Sequence, residues 1–199
     1  MELSKPKLLL ATNNRAKVRE YARLLKGMPY HIVSLEDVNI SEQVEETGAS
    51  FEENAILKAK RYCELSGLTT MADDSGLEVN ALGGEPGVRS ARYAGEDASD
   101  KERIDFLLKK IVDVTWEKRQ AQFKCVIAIA YPDGKVQICQ GQCSGILTFA
   151  PLGDNGFGYD PIFYLPDLHK TMAELSMSEK NAISHRGLAA EEARVKLQL

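Results

Sequence analysis

Short apolar segments alternate with amphipathic helical segments along this chain, and this alternation constrains its fold most strongly. Residues 7–11 (KLLLA) and 32–33 predict buried strands, and residues 69–72 and 77–79 predict strand on either side of an acidic pair. A clean alternation over 121–131 predicts a long strand with one face in the core. Mixed strands and helices indicate an α/β protein with a mixed β-sheet.

The second half of the chain contains at least one predicted hairpin. Pro132-Asp133-Gly134 is a turn sequence, and residues 135–140 are expected to return antiparallel to the long strand. Residues 144–149 predict a further strand. Residues 82–95 and 153–161 are rich in glycine and predict loops.

The helices are predicted from their capping residues and from apolar stripes at helical spacing. The capping residues are Asn13 and Asn14 for the first helix, Ser50 with Glu53 for the second, Ser99 with Glu102 for the third and Ser184 for the last. The stripes expected to face the core are Val18, Tyr21, Ala22 and Leu25; Ala55, Ala59, Tyr62 and Cys63; and Ile104, Leu107, Leu108 and Ile111. A further stripe in the last helix, of roughly helical spacing, is Leu188, Ala189, Glu192, Val195 and Leu199.

Length and composition set the broad class. The 199 residues suit a single domain over 1–199, and 44% hydrophobic with 27% charged residues is typical of soluble globular proteins. No apolar run approaches the roughly 18–20 residues of a membrane span, and the N-terminus does not have the pattern of a signal peptide.

A net charge of −4 argues against a nucleic-acid polymer as partner. The four cysteines match no zinc pattern and predict reduced, mostly buried thiols in a cytoplasmic protein.

Asp73 and Asp74 form the strongest chemical signal. They lie between an apolar stretch and Ser75-Gly76, where we expect a junction of strand and turn. Adjacent carboxylates repel each other unless a cation intervenes, and hard cations such as Mg²⁺ prefer oxygen ligands. One carboxylate could also act as a general base toward water. The alternative is a pair of aspartates that cap a turn.

The first strand leads into a candidate phosphate-binding segment. Thr12, Asn13 and Asn14 precede the first helix, and Lys17 lies in its first turn. Helix N-termini present free N–H groups to anions, and the lysine adds positive charge. An ordinary helix start with an early lysine is the alternative interpretation.

The second helix carries a similar combination of charges. Glu45 and Glu46 precede it, and Lys58 lies on one face together with Asn54 and Arg61. The two glutamates either favour the helix dipole or supply a metal ligand. Lys58 is either solvated or in contact with a bound anion.

Two later segments carry candidate ligand-binding residues, and an aromatic ring in the first can stack on a purine. Gly153–Pro161 (GDNGFGYDP) places Phe157, Tyr159 and Asp160 among glycines, which let a backbone approach a ligand closely; a tight turn with a core phenylalanine is the alternative. Residues 180–187 (KNAISHRG) bring Lys180, His185 and Arg186 together before the last helix. Three such donors suit an oxyanion or a carbonyl oxygen.

Five strings in this order resemble the inosine triphosphatase family: LLLATNNRAKVRE, EETGASFEENAILKAKR, ADDSGLEVNALGGEPGVRSARYAGEDA, GFGYDPIF and KTMAELSMSEKNAISHRGLA. They extend from Leu8 to about Ala190. The resemblance implies a long mixed sheet flanked by helices, in two lobes with the active site in the cleft between them, and a homodimer. It also implies Mg²⁺-dependent hydrolysis of non-standard purine nucleoside triphosphates (ITP, dITP and XTP) to the monophosphate and pyrophosphate, which keeps deaminated purines out of DNA and RNA.

The resemblance also implies a role for each matching residue. Thr12, Asn13, Asn14, Lys17 and Lys58 would bind the triphosphate, with Ser75 in contact with the substrate. Glu46 (less favourably Glu45), Asp73 and Asp74 would hold the metal, and Asp74 would accept the proton. Phe157, Gly158, Tyr159, Asp160, Lys180, His185 and Arg186 would hold the base.

Two other classes of function stay open at this point. One is a Maf-type pyrophosphatase acting on pyrimidine or modified triphosphates. The other is a nucleotide sensor without turnover, although a sensor has no need of a general base.

Overall fold

Strands and helices alternate along the chain, as its apolar pattern predicts. The computed structural model describes residues 5–198. Within this part of the chain, the strands are β1 (Lys7–Leu10), β2 (His31–Ser34), β3 (Thr69–Val79), β4 (Gln120–Ala130), β5 (Val136–Leu147), β6 (Phe163–Leu165) and β7 (Lys170–Thr171). The α-helices are α1 (Arg15–Leu24), α2 (Phe51–Ser66), α3 (Asp100–Lys110), α4 (Met177–Ile183) and α5 (His185–Leu197).

All seven strands belong to one sheet, in the order β2-β1-β3-β4-β5-β6-β7. β1 runs parallel to β2 and β3, and its Leu8 lies opposite Ile32 and Thr69. β6 runs antiparallel to β5 and to β7. The predicted α/β fold with a mixed sheet is confirmed.

The described chain divides into two compact units, each with its own apolar core. The first contains the chain up to Asp74, Cys125–Gly141 and the chain from Leu188 onward, whereas the second contains Ser75–Lys124 and Gln142–Gly187. Buried residues such as Leu8, Tyr21 and Ile127 form the core of the first unit. Leu77, Leu107 and Phe163 belong to the core of the second. A single domain over 1–199 stays a prediction, and Leu199 of the last predicted stripe lies outside the described residues.

Helix α1 begins where Asn14 caps it. The Asn14 Oδ1 atom accepts hydrogen bonds from the N–H groups of Ala16 and Lys17 at 2.9 and 3.2 Å. Tyr21 is buried as predicted, but Ala22 is exposed. Each residue turns the helix by about 100°, so position 22 lies beyond the edge of the buried stripe.

Helix α2 shows the predicted cap with one difference. Ser50 Oγ accepts the N–H of Glu53, but the Glu53 carboxylate accepts the N–H of Ala49 at 2.6 Å instead of that of Ser50. The reciprocal half of the predicted capping box is therefore displaced by one residue. The predicted stripe of this helix (Ala55, Ala59, Tyr62 and Cys63) is buried.

The prediction that Asp73 and Asp74 lie at a junction of strand and turn is wrong. β3 continues without a break from Thr69 to Val79, with both aspartates in its interior. In the sheet, β3 lies between β1, which pairs with Thr69, Thr70 and Met71, and β4, and this backbone pairing outweighs the turn preference of Asp-Ser-Gly. Because successive residues of a strand point to opposite faces, Asp73 and Asp74 are directed to different partners.

Strands β4 and β5 also correct the prediction. β4 alternates at first, but it is buried on both faces from Cys125 to Ala130, as a central strand can be. β5 is one strand over Val136–Leu147 where two were expected, because pairing with its neighbours carries the strand through Gly141. All four cysteines are free thiols and all but Cys143 are buried, as predicted.

The end of the chain contains a helix that the prediction missed. Ser176 and Glu179 form a capping box at the start of α4, and this sequence signal was available. In α5, Ser184 Oγ accepts the N–H of Gly187 as the predicted cap. The predicted stripe is only partly buried: Ala189 faces the core together with Ala190, Ala193 and Leu197, whereas Leu188 and Val195 are exposed. Three of these four buried side chains are alanines, so residue size does not identify the buried face of this helix.

Candidate active site

The start of α1 supplies backbone and side-chain donors directly after β1. Thr12 Oγ1 accepts the N–H of Asn14 at 3.2 Å, which shapes the connection between strand and helix. Asn13 is exposed beside it. The Lys17 ammonium, in the first turn, lies 2.9 Å from Asp73 Oδ2. The N-terminus of a helix with an adjacent ammonium is well suited to bind an anion.

Asp73 is held inside the first unit. Its carboxylate is 1% exposed, whereas the Lys17 side chain retains 14% exposure. The thiol of Cys125 lies 3.9 Å from the same carboxylate oxygen. Asp73 therefore fixes the position of a partly exposed cation.

Asp74 faces α2 and the segment before it. Lys58 Nζ lies 2.5 Å from Glu46 Oε1 and 3.9 Å from Asp74 Oδ1, so one ammonium lies beside both carboxylates. Asn54, one helical turn before Lys58, donates from Nδ2 to Asp74 Oδ2 at 3.0 Å. We call Lys17, Glu46, Lys58, Asp73 and Asp74 the carboxylate–lysine cluster.

Burial and charge change the acidity of this cluster. Burial raises the pKa of Asp74, and Glu46 raises it further, against the opposing effects of Lys58, Lys17 and Asn54. Burial lowers the pKa of Lys58, but the nearby Asp74 and Glu46 carboxylates more than offset this and the net shift is upward. Lys58 therefore stays charged, while Asp74 is a stronger base than an ordinary aspartate.

The cluster contains carboxylates that could contribute ligands to a metal ion. Within residues 5–198, no three His, Cys, Asp or Glu side chains are close enough to hold a metal ion. Mg²⁺ is usually bound by one or two carboxylates, with water and substrate phosphates completing its coordination. Glu46 and Asp74, which both face Lys58, fit an ion of this kind, whereas Asp73 lies against Lys17. Glu45 is more exposed than Glu46.

In the second unit, Asp160 organises the glycine-rich loop. Its Oδ2 atom accepts the N–H of Phe157 at 2.9 Å and lies 2.5 Å from Lys180 Nζ. Both charged side chains are 3% exposed. Gly156 has a φ of +77°, and a Cβ there would lie 2.0 Å from Asp160 Oδ2, so the loop requires glycine at this position.

Gly158 and Tyr159 are anchored by residues that the sequence analysis missed. The N–H of Gly158 donates to Asp100 Oδ2 at 2.7 Å, and the Tyr159 hydroxyl donates to the Ser90 carbonyl at 3.0 Å. Asp100 follows the cap of α3, but nothing local in the sequence relates it to a loop 58 residues away. These contacts hold the Phe157 end of the loop in place.

The Phe157 ring lies among cationic side chains. Lys180 Nζ is 4.8 Å and Arg186 Cζ is 5.3 Å from the ring centroid. Arg186 also donates to Ser75 Oγ at 2.9 Å. We call Ser75, Phe157, Asp160, Lys180 and Arg186 the aromatic–cation cluster. The remaining predicted residue, His185, is buried and stacks on Phe123 with ring centroids 4.7 Å apart.

These observations define an α/β protein in which buried aspartates and partly exposed lysines lie beside a helix N-terminus, an arrangement suited to phosphate-bearing ligands. A comparison with protein families makes the assignment specific. The family model described as the Ham1 family matches residues 8–196. The chain belongs to the Ham1 family.

Individual relatives agree with this assignment. The chain is 50% identical to the dITP/XTP pyrophosphatase of Bacillus anthracis over 184 residues, which cover 92% of this chain and 91% of that protein. The Staphylococcus aureus Ham1 protein matches with a TM-score of 0.87 and 45% identity, over 96% of this chain and 98% of that one. A HAM1 protein from Coxiella burnetii matches with a TM-score of 0.89 and 42% identity, over 97% and 98%. The family resemblance predicted from the sequence is confirmed.

Proposed function

We propose that this chain hydrolyses non-standard purine nucleoside triphosphates, namely ITP, dITP and XTP, to the monophosphate and pyrophosphate. The observation that carries the proposal is the buried Asp74 carboxylate, which lies with Glu46 beside the Lys58 ammonium. The name of the Bacillus anthracis relative supports the substrate class. A hydrolase of this kind needs charge compensation at the phosphates and a base for the attacking water.

The carboxylate–lysine cluster supplies both requirements in the proposed reaction. Lys17, Lys58 and the Thr12–Asn14 segment bind the triphosphate, and Glu46 and Asp74 hold a Mg²⁺ ion that offsets phosphate charge when bound. Asp74 accepts a proton from the water that attacks the α-phosphorus. A new bond forms between the water oxygen and the α-phosphorus. The bond between the α-phosphorus and the oxygen that bridges it to the β-phosphate breaks, and pyrophosphate leaves.

The aromatic–cation cluster recognises the base in this proposal. Phe157 stacks on the purine, and Lys180, His185, Arg186 and the backbone of residues 157–160 surround it. Donors directed at a 6-oxo group select hypoxanthine and xanthine over adenine. A 6-amino group would leave a donor without an acceptor, which costs about 1–3 kcal/mol. Asp74 of the first cluster and Ser75 of the second are consecutive residues of β3.

We propose a homodimer in the cytoplasm that removes deaminated purine nucleotides before they enter DNA or RNA, with no nucleic-acid polymer or membrane as partner. Within residues 5–198, no helix is long and apolar enough to cross a membrane.

The decisive experiment measures pyrophosphate release from ITP, XTP, GTP, ATP and dTTP, with Mg²⁺ and with EDTA. We expect metal-dependent release from ITP and XTP, with much slower release from the other three. Preferential release from dTTP would support the Maf-type function instead. Binding without release from any substrate would support the nucleotide sensor.

Base selection can be tested at Arg186, which contacts both Ser75 and the Phe157 ring. We expect Arg186→Ala to reduce the ratio of kcat/KM for ITP over ATP by about tenfold, the value of one hydrogen-bond donor. Lys101→Ala, which alters a lysine with 84% side-chain exposure in the same unit, is the control. An unchanged ratio in a folded Arg186→Ala protein would place base selection elsewhere.

A further inference from the structure

Asn54 is fully buried although it has the polar side chain of a residue usually found at the surface. Both the NH₂ group and the carbonyl oxygen of its side-chain amide form hydrogen bonds. Nδ2 donates to Asp74 Oδ2 at 3.0 Å, and Oδ1 accepts the N–H of Gly48 at 2.8 Å. One side chain therefore connects the proposed base with the segment that contains Glu46.

The hydrogen bonds determine the orientation of this amide. A backbone N–H can only donate, so the end that faces Gly48 must be the carbonyl oxygen. The opposite end is then the NH₂ group, which directs a proton at Asp74 Oδ2. Asp74 Oδ1 is the oxygen that faces Lys58, at 3.9 Å. Asn54 thus distinguishes the two carboxylate oxygens of Asp74.

The backbone at Gly48 is packed closely around this contact. A Cβ at Gly48 would lie 2.7 Å from Asn54 Oδ1 and 2.7 Å from Glu53 Cβ, closer than real Cβ contacts. Only glycine allows the segment to approach α2 closely enough for this hydrogen bond. Gly48 lies two residues after Glu46, so the contact also restricts where the Glu46 carboxylate can be.

We propose that Asn54 is a positioning residue. It holds the Asp74 carboxylate in one rotation and ties the Glu46–Gly48 segment to it, so that both carboxylates are in place before the substrate arrives. A preorganised base avoids reorganisation during the reaction. The catalytic part of this inference rests on the proposed function, whereas the tie between Asn54 and Gly48 does not.

Asn54→Asp separates the two hydrogen bonds of Asn54. Aspartate has the same shape and, when ionised, still accepts the Gly48 N–H but has no proton to donate to Asp74. We expect kcat for ITP to fall about 10- to 100-fold, the value of a hydrogen bond to a charged group, while KM changes less than about threefold. The Gly48 amide should keep its slow hydrogen exchange in this variant.

Asn54→Leu removes both hydrogen bonds, so the Gly48 amide should exchange at least about tenfold faster and kcat should also fall. Arg61→Gln is the matched control, because Arg61 lies on the same helix and pairs with Glu42 at the surface. It should leave both quantities unchanged.

Three results would overturn parts of this inference. Near-normal kcat in Asn54→Asp would exclude the effect on Asp74. Unchanged Gly48 exchange in Asn54→Leu would exclude the tie. A loss of kcat that is matched by an equal rise in KM would indicate disturbed binding. If the wild-type protein released pyrophosphate from no triphosphate, the proposed function and the effect on turnover would fail together, and the exchange of Gly48 would still decide the tie.

Discussion

Replacing Asp74 with asparagine is expected to lower kcat for ITP by on the order of 10²–10⁴-fold, the usual contribution of a general base. Asparagine has nearly the same shape and can still accept the hydrogen bond from Asn54, but it cannot take a proton from water. Binding of the triphosphate should persist, because Lys17 and Lys58 remain. Steady-state kinetics together with a direct binding titration would test both statements.

The same substitution should not weaken the metal-free fold. The pKa of Asp74 is raised in the folded protein, so the folded state binds its proton more tightly than the unfolded state does. The stability contributed by this group is therefore lost as pH rises from the ordinary aspartate pKa through the folded value. At neutral pH the uncharged Asp74→Asn side chain avoids this cost, and its free energy of unfolding should equal or exceed that of the wild type. Near-normal kcat would contradict the role of Asp74 as the base, and a large loss of stability would contradict the unfavourable effect of its charge on the fold.

Replacing Asp160 with alanine is expected to lower the free energy of unfolding by about 3–5 kcal/mol, the usual effect of removing one partner from a buried ion pair. The Lys180 ammonium would lose the carboxylate 2.5 Å away, and both side chains are nearly inaccessible to water. The Phe157 N–H would lose its acceptor as well. Urea unfolding followed by circular dichroism would measure the change.

Two further variants serve as the control and the compensating change for Asp160→Ala. Asp154→Ala alters an exposed carboxylate in the same loop and should change stability by no more than about 0.5 kcal/mol. Asp160→Ala combined with Lys180→Met removes the remaining buried charge and should recover part of the loss. A loss below about 1 kcal/mol in Asp160→Ala would mean that water reaches Lys180 after the substitution.

The local features of this fold could be predicted from the sequence because their causes are local. Asn14, Ser50, Ser99 and Ser184 each accept a hydrogen bond from the first turn of the helix they precede. The buried stripe of α2 follows from spacing alone. The errors came where tertiary contacts outweigh local preference. Sheet pairing keeps β3 extended through Asp73 to Gly76, and Ala189, Ala190 and Ala193 face the core from α5 while Leu188 is exposed.

For the candidate site, the sequence indicated the participants but not their pairing. Lys17 and Lys58 were both candidates for binding phosphate, yet nothing local shows that Lys17 pairs with Asp73 while Lys58 lies beside Glu46 and Asp74. Asn54 was placed on the helix face of Lys58 without a role. Its burial against Asp74, 20 residues away, is visible only in three dimensions.

The sequence by itself determined the family, the α/β class and the residues that carry charge, since each depends on residue identity and spacing along the chain. Only the tertiary structure decided which charges meet. Hydrogen bonds and ion pairs act over about 3–4 Å, and the distances between residues remote in sequence depend on how the whole chain packs. The separation of Asp73 from Asp74 is the clearest case. The two residues are chemically identical and adjacent, but the alternation of an unbroken strand directs one to Lys17 and the other to Asn54, Lys58 and Glu46.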